Sequence, residues 1–201
     1  MNQYKKYCLF LFFIILMIST IIMSAPRFLL YSSNYQKANA IILLLGPDFT
    51  ARQKEAYRVI NEGMVDYLII PAQNKVYRIY NEGEIKYLSP NLSAKNVSRK
   101  DIANSPNYYE DTHLEIIEAR KIMSQYGLLS AIFISSPYHM RRIKLIAIKV
   151  FDNKSGELYF VPTSYEKAPA KFWEMSSADW KKVGREYSKM LWFSLYAPWT
   201  N

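Results

Sequence analysis

The chain has 201 residues (23.6 kDa), half of them hydrophobic and 21% charged, with a net charge of +9 and a single cysteine. This is enough chain for one domain with a sizeable core and too apolar for disorder, while one cysteine excludes an intrachain disulfide and a cysteine metal cluster. The positive charge suits an anionic lipid surface or anionic substrates, but it is scattered, with no long basic run and no nucleic-acid-binding signature, so no nucleic acid partner is expected.

Lys5 and Lys6 precede an apolar run from Cys8 to Met23 that only Ser19 and Thr20 interrupt. Tyr7 to Ala25 spans 19 residues, close to the roughly 20 that cross a bilayer as a helix. Basic residues ahead of the run favour a cytoplasmic N-terminus and an exported remainder. The run is longer than a usual signal core, and Met23-Ser24-Ala25 is a poor cleavage site. Residues 1–25 therefore read as a signal-anchor rather than a cleaved signal peptide, giving a single-pass cell-membrane protein with an extracytoplasmic C-terminal domain. Residues 26–39, with Ser32, Ser33, Asn34 and Gln36, read as a linker, and residues 40–201 as the domain.

Ala40 to Leu45 is a continuous apolar strand of the kind buried on both faces of a parallel sheet. Gly46-Pro47-Asp48 turns the chain, Thr50 to Glu62 has helical spacing, and Gly63 suits a helix C-terminus. Val65 to Ile70 is a second strand, completing a right-handed β-α-β unit. Residues 71–108 interrupt the alternation: Val76 to Tyr80 and Glu84 to Leu88 suit a hairpin around Asn81-Glu82-Gly83, and Asn91 to Asn107 is a polar loop. Asp111 to Tyr126 is an amphipathic helix, Ala131 to Ile134 a strand, Tyr138 to Val150 a helix and Leu158 to Val161 a strand. Ala170 to Tyr196 is largely helical, with breaks expected near Ser176-Ser177 and Gly184. The pattern predicts an α/β domain, a Rossmann-like three-layer sandwich with a mainly parallel sheet, behind one transmembrane helix.

Ligands of such sheets bind at the carboxyl ends of the strands. That rule gathers Gly46, Pro47 and Asp48, then Pro71 and Ala72, then Ser135 to Arg142, with the insertion at 71–108 as a lid or platform. In Ser135-Ser136-Pro137-Tyr138-His139-Met140-Arg141-Arg142, Ser136 suits an N-cap and Pro137 the first helical position. Hydroxyls, an imidazole and two guanidiniums then crowd a helix N-terminus, the makings of a phosphate or carboxylate site; the plain alternative is a capped helix with a basic, solvated first turn. At the first strand end, Gly46 permits close backbone approach, Asp48 is an acid, base or metal ligand, and Arg52 an anion clamp, or the group is simply a strand-to-helix turn. Asp111, Thr112 and Glu115 open a helix toward the same crevice, but Thr112-x-x-Glu115 fits a capping box, the reading preferred for Glu115. His113 reads as a surface residue, Glu186 and Lys189 as a surface pair, and the tryptophans as packing or membrane-interface residues. His113 and His139 show no metal-ligand spacing, and no G-x-S-x-G elbow accompanies Ser135 or Ser136.

Taken together, Leu45-Gly46 with Arg52, Asp111-Thr112, the Ser135 to Arg142 stretch, Phe172-Trp173 and Arg185-Glu186-Tyr187-Ser188-Lys189 resemble the YdcF/SanA/ElyC-like family over roughly Ala40 to Tyr196. The resemblance implies a Rossmann-like fold and, for members with an N-terminal membrane helix, a role in envelope integrity, peptidoglycan assembly or lipid-carrier metabolism; a cytoplasmic type binds S-adenosylmethionine. It carries over Gly46, Arg52, Thr112, His139 and Arg142. Asp111, Leu114 and Glu115 depart from the family's N-T-x-E-N, and Pro71-Ala72-Gln73 stands where the family has a glycine-rich turn. Two expectations follow. One is an enzyme on a phosphorylated or lipid-linked envelope precursor, with His139 as acid/base, Arg142 and Arg52 on the anion, and Asp48 or Asp111 assisting. The other is a binding or scaffold protein at the membrane. A nucleotide-cofactor protein would need a cytosolic domain. No cofactor and no particular protein partner follows from these residues.

Overall fold

The computed structural model describes residues 3–80, 84–88, 107–152 and 157–200. Helix α1 (Gln3–Leu29) is followed by β1 (Ala38–Leu43), α2 (Phe49–Asn61), β2 (Val65–Ile70), β3 (Lys75–Ile79) and β4 (Ile85–Leu88). Then come α3 (Asp111–Gln125), β5 (Ala131–Ser135), α4 (Met140–Phe151), β6 (Leu158–Pro162) and α5 (Ser177–Tyr196). The strands form one mixed sheet in the order β4-β3-β2-β1-β5-β6. β1 pairs in parallel with β2 and β5, and β5 with β6, while β3 and β4 add an antiparallel hairpin at one edge.

The period-2 alternation of a strand sends neighbouring side chains to opposite faces. Ile41, Leu43, Ile132 and Ile134 meet Ala56, Val59 and Ile60 of α2 on one face. Ala40, Ile42 and Phe133 meet Ile116 and Ile122 of α3 and Ile143 and Ile146 of α4 on the other, where Phe193 and Tyr196 of α5 join them. That two-sided burial is why β1 is apolar throughout. α2 and α3 both end at a left-handed glycine, Gly63 (φ +68°) and Gly127 (φ +65°), a conformation open to glycine without steric cost.

Several details differ from the sequence expectation. α1 runs through Pro26 to Leu29, past the boundary read at residue 25. The segment after it packs as an added edge: the Ser33 N–H donates to the Phe160 carbonyl (3.0 Å), and its hydroxyl accepts from the Phe160 N–H (2.8 Å). Gly184 lies inside α5 and breaks nothing; the break before that helix is a capping box, with Ser176 and Asp179 exchanging hydrogen bonds. The β3–β4 hairpin forms as expected, with its turn at 81–83 outside the described residues, as is nearly all of the expected loop over 91–107. α1 holds one stretch, Lys6–Leu29, long and apolar enough to cross a membrane, and its side chains are exposed nearly throughout.

Candidate functional site

The carboxyl ends of β1 and β5 are bound together by one guanidinium. β1 ends with the Leu44 and Leu45 carbonyls unpaired by the sheet, and Arg52, in the first turns of α2, folds back over them. Its Nη1 donates to Leu44 (2.9 Å) and Leu45, and its Nε and Nη2 donate to the Ser136 hydroxyl (3.2 and 3.0 Å). Gly46 lies directly under this group: a Cβ there would sit 2.4 Å from Arg52 Nη2. The glycine is thus needed for space. Ser136 has no cap bond to its helix; its oxygen is the acceptor for Arg52 instead. Ser135 is buried, and its carbonyl takes the Thr163 N–H (2.9 Å), tying β5 to the end of β6.

A second guanidinium organises the start of α4. Arg142 is fully buried, and its Nε donates to Glu186 Oε2 of α5 (2.7 Å) while Nη1 donates to Glu110 Oε2, the residue before α3 (2.8 Å). Its Nη2 lies 3.3 Å from His139 Nδ1, three residues away on the same helical face. A guanidinium only donates, so Nδ1 is the acceptor and the imidazole proton sits on Nε2. That N–H faces Glu186 Oε1 at 3.6 Å. Burial, with Arg142 and Arg52 close by, pushes the His139 pKa far down, so the ring is neutral. In this arrangement His139 is a hydrogen-bond donor through Nε2, with its basic nitrogen already engaged. Burial raises the Glu110 pKa despite Arg142, and Glu110 Oε1 has no hydrogen-bond partner.

Three further groups close the ring. Glu115 does not cap its helix: its Oε2 accepts the Leu45 N–H (3.1 Å), and burial pushes its pKa up to about 7 against the pull of that N–H and Arg52. Lys182 of α5 pairs with Glu166 (2.9 Å) and approaches Asp48 (3.9 Å) at the exposed rim. Glu166 Oε2 is buried without a hydrogen-bond partner. The charges of Glu166, Glu115, Asp48 and Glu186 all act on Arg52, which places it at the centre of the cluster.

The structure therefore joins Gly46, Arg52 and Ser136 in one contact and His139 and Arg142 in another, with Ser135 beneath and Asp48 at the rim. Asp111 is exposed at the head of α3, with Thr112 half-buried beside it. His113, read as a surface residue, is buried on the far side of α3: Nδ1 lies 3.2 Å from the Tyr196 hydroxyl, the ring stacks on Tyr109, and burial lowers its pKa to about 4. Glu186, read as half of a surface pair, is the most buried acid of the site. A signal for it exists: Val183, Glu186 and Phe193 share the buried stripe of α5, and a lone carboxylate on such a stripe demands a partner. Glu110, Glu166 and Lys182 carry no such local mark. Among the described residues no group of three or more histidines, cysteines or acids is arranged to hold a metal ion. A cavity of about 380 Å³, lined by Tyr109, His113, Arg120 and Lys149 among others, lies away from this cluster, between α3 and the end of α4. Comparison with protein-family models, with curated proteins and with solved structures finds no match.

Proposed function

We propose that the chain is a membrane-anchored, extracytoplasmic protein of cell-envelope maintenance that takes a phosphorylated or lipid-linked small molecule at the strand-end cluster. The observation that carries the reading is the seating of α1. Its last turns are fastened to the elements that build the site: Arg141 Nε donates to the Phe28 carbonyl (2.9 Å), and the Tyr187 hydroxyl donates to the Ala25 carbonyl (3.0 Å). Leu29 is buried with Tyr138 and Val183. These residues alternate along the chain with His139, Arg142 and Glu186, so a membrane-crossing α1 holds the cluster within a turn or two of the bilayer. A ligand tethered to lipid would reach such a site without leaving its leaflet. The helices on both faces of the sheet support the Rossmann-like three-layer reading, and the Ser135 to Arg142 stretch supports kinship with YdcF/SanA/ElyC-like proteins.

In this reading His139 Nε2–H and the Lys182 ammonium contact the anionic group. Glu115, titrating near neutrality, is the proton carrier. Arg142 and Arg52 are positioning residues, and Asp48 and Asp111 lie at the margin. A scaffold role is the second reading, favoured by the saturation of both guanidiniums with internal acceptors.

The test is thermal unfolding of the full chain in detergent micelles with inorganic phosphate, pyrophosphate, sugar nucleotides, S-adenosylmethionine and soluble polyprenyl phosphates, beside His139→Ala. A ligand at a hundred times its Kd stabilises by about 2.7 kcal/mol. A shift with polyprenyl phosphate or pyrophosphate that disappears in His139→Ala supports the binding reading. Cooperative melting unmoved by every compound leaves the scaffold reading.

A further inference from the structure

The surface stripes that seat α1 do not end where α1 leaves the domain. On α4, Arg141 and Lys144 hold Phe28 and Tyr31: the Arg141 guanidinium stacks over both rings, and Lys144 Nζ donates to the Tyr31 hydroxyl (2.8 Å). Leu145 and Ile148 continue that face over the next two turns and are 38% and 40% exposed. On α5, Tyr187 meets Ala25 and Phe28. Leu191 and Leu195 continue that face at i+4 and i+8, 64% and 61% exposed, and Trp199 beyond them is 83% exposed. A groove of about 510 Å³ runs beside the α4 stripe, lined by Leu145 and Ile148 and by Phe193, Ser194 and Pro198, with Lys149 and Asp152 at its edge. α1 does not cover this surface: Ile21, Ile22 and Met23 are themselves about half exposed, so the helix leaves the domain within a turn of Ala25.

Large apolar residues at this exposure, on two helices that pack against each other, mark an interaction surface. We propose that this α4–α5 face lies in the interfacial layer of the bilayer that α1 crosses, with Trp199 at headgroup depth and Lys144 and Lys149 toward anionic lipid. The proposal rests on α1 spanning the membrane. The occupant follows from continuity: the face begins where α1 emerges, and Leu195 is only about 12 Å along α5 from Tyr187, at 1.5 Å per residue. The interfacial region on each side of a bilayer is about 5–7 Å thick, so in this proposal α5 lies along the membrane surface, which keeps Leu195 within the layer. Tryptophan beside leucine with basic residues at the margin is the chemistry of that layer. The consequence for the site is a fixed attitude. His139 at the head of α4 and Glu186 on α5 move with the two helices lying on the membrane, so the domain cannot swing its cluster away from the leaflet.

The test is spin-label accessibility on the full chain in vesicles of phosphatidylethanolamine and phosphatidylglycerol. The only cysteine, Cys8, lies in α1 and is exposed, so labelling it in the native chain reports on the span. In a Cys8→Ser background, labels go at Leu191→Cys, Leu195→Cys and, on α2 across the sheet, Tyr57→Cys; all three positions are exposed, so the label displaces no core residue. The expected result is a severalfold higher ratio of oxygen to nickel-chelate collision at 191 and 195 than at 57. Equal ratios at all three, with Cys8 rich in oxygen collision, overturn the proposal while leaving the anchor intact. Water-accessible Cys8 overturns the anchor and the proposal with it. Labels at 191 and 195 shielded from both reagents, with spin–spin broadening, assign the face to a second copy of the chain and also overturn it.

Discussion

Arg142→Met is the sharpest perturbation of this fold. The guanidinium is fully buried, with carboxylates on two sides whose side chains are only 2% (Glu186) and 9% (Glu110) exposed. Removing one partner of a buried ion pair costs about 3–5 kcal/mol, because the other charge is left desolvated and unpaired. Here two carboxylates lose their partner. Glu110, its pKa already raised by burial, escapes part of the cost by protonating. The expected loss is therefore about 4 kcal/mol, against a total of about 5–15 kcal/mol for a domain. With a urea slope of about 2 kcal/mol/M, the midpoint falls by about 2 M. The assay is urea unfolding of the full chain in mild detergent, followed by tryptophan fluorescence. Replacing the whole trio by Glu110→Leu, Arg142→Met and Glu186→Met should recover most of the loss, since an apolar set of similar volume matches or exceeds a buried ionic one. A midpoint change below about 0.5 M for the single variant, or a triple variant no better than the single, refutes the reasoning.

Gly46→Ala should destabilise by about 1–3 kcal/mol, because the new methyl drives Arg52 off two carbonyls and Ser136; the same unfolding assay reads it, and an unchanged midpoint contradicts the packing. Glu115 has a folded pKa near 7, above its unfolded value of 4.5, so the native state binds the extra proton and stability falls as pH rises between those values. Glu115→Gln should therefore gain on the wild type from about pH 4.5 to 7 and run parallel to it above pH 8; a difference that is flat or reversed is incompatible with a buried acid. His139 and His113 have folded values below 6.5, so each contributes stability present above pH 6.5 and lost as pH falls; imidazole ¹⁵N shifts should show both rings neutral at pH 6, and a protonated His139 refutes the tautomer given above. Ser176→Ala removes the capping box of α5 and should cost about 1 kcal/mol; no loss would mean that the box is replaced by water.

The apolar N-terminal helix, the positions of β1, β2, β5 and β6, and the succession of helices between them are all legible in the residues alone. Those features are set by local periodicity and length, so ten to twenty neighbouring residues suffice to read them. The residues also place Gly46, Arg52, Ser136, His139 and Arg142 at one edge of the sheet, because chain order and parallel pairing leave those strand ends together. What each group does there was decided only by tertiary structure. Ser136 and Glu115 have the form of capping residues, yet the Ser136 hydroxyl and the Glu115 carboxylate serve Arg52 and Leu45 instead, since a donor 84 or 70 residues away outcompetes a solvated helix end. His113 looks polar and exposed until Tyr109 and Tyr196 close over it. Arg142 finds its carboxylates 44 and 32 residues away, on α5 and ahead of α3. Burial converts such distant pairs from negligible to decisive, and burial is a property of the packed chain that no local stretch of sequence contains.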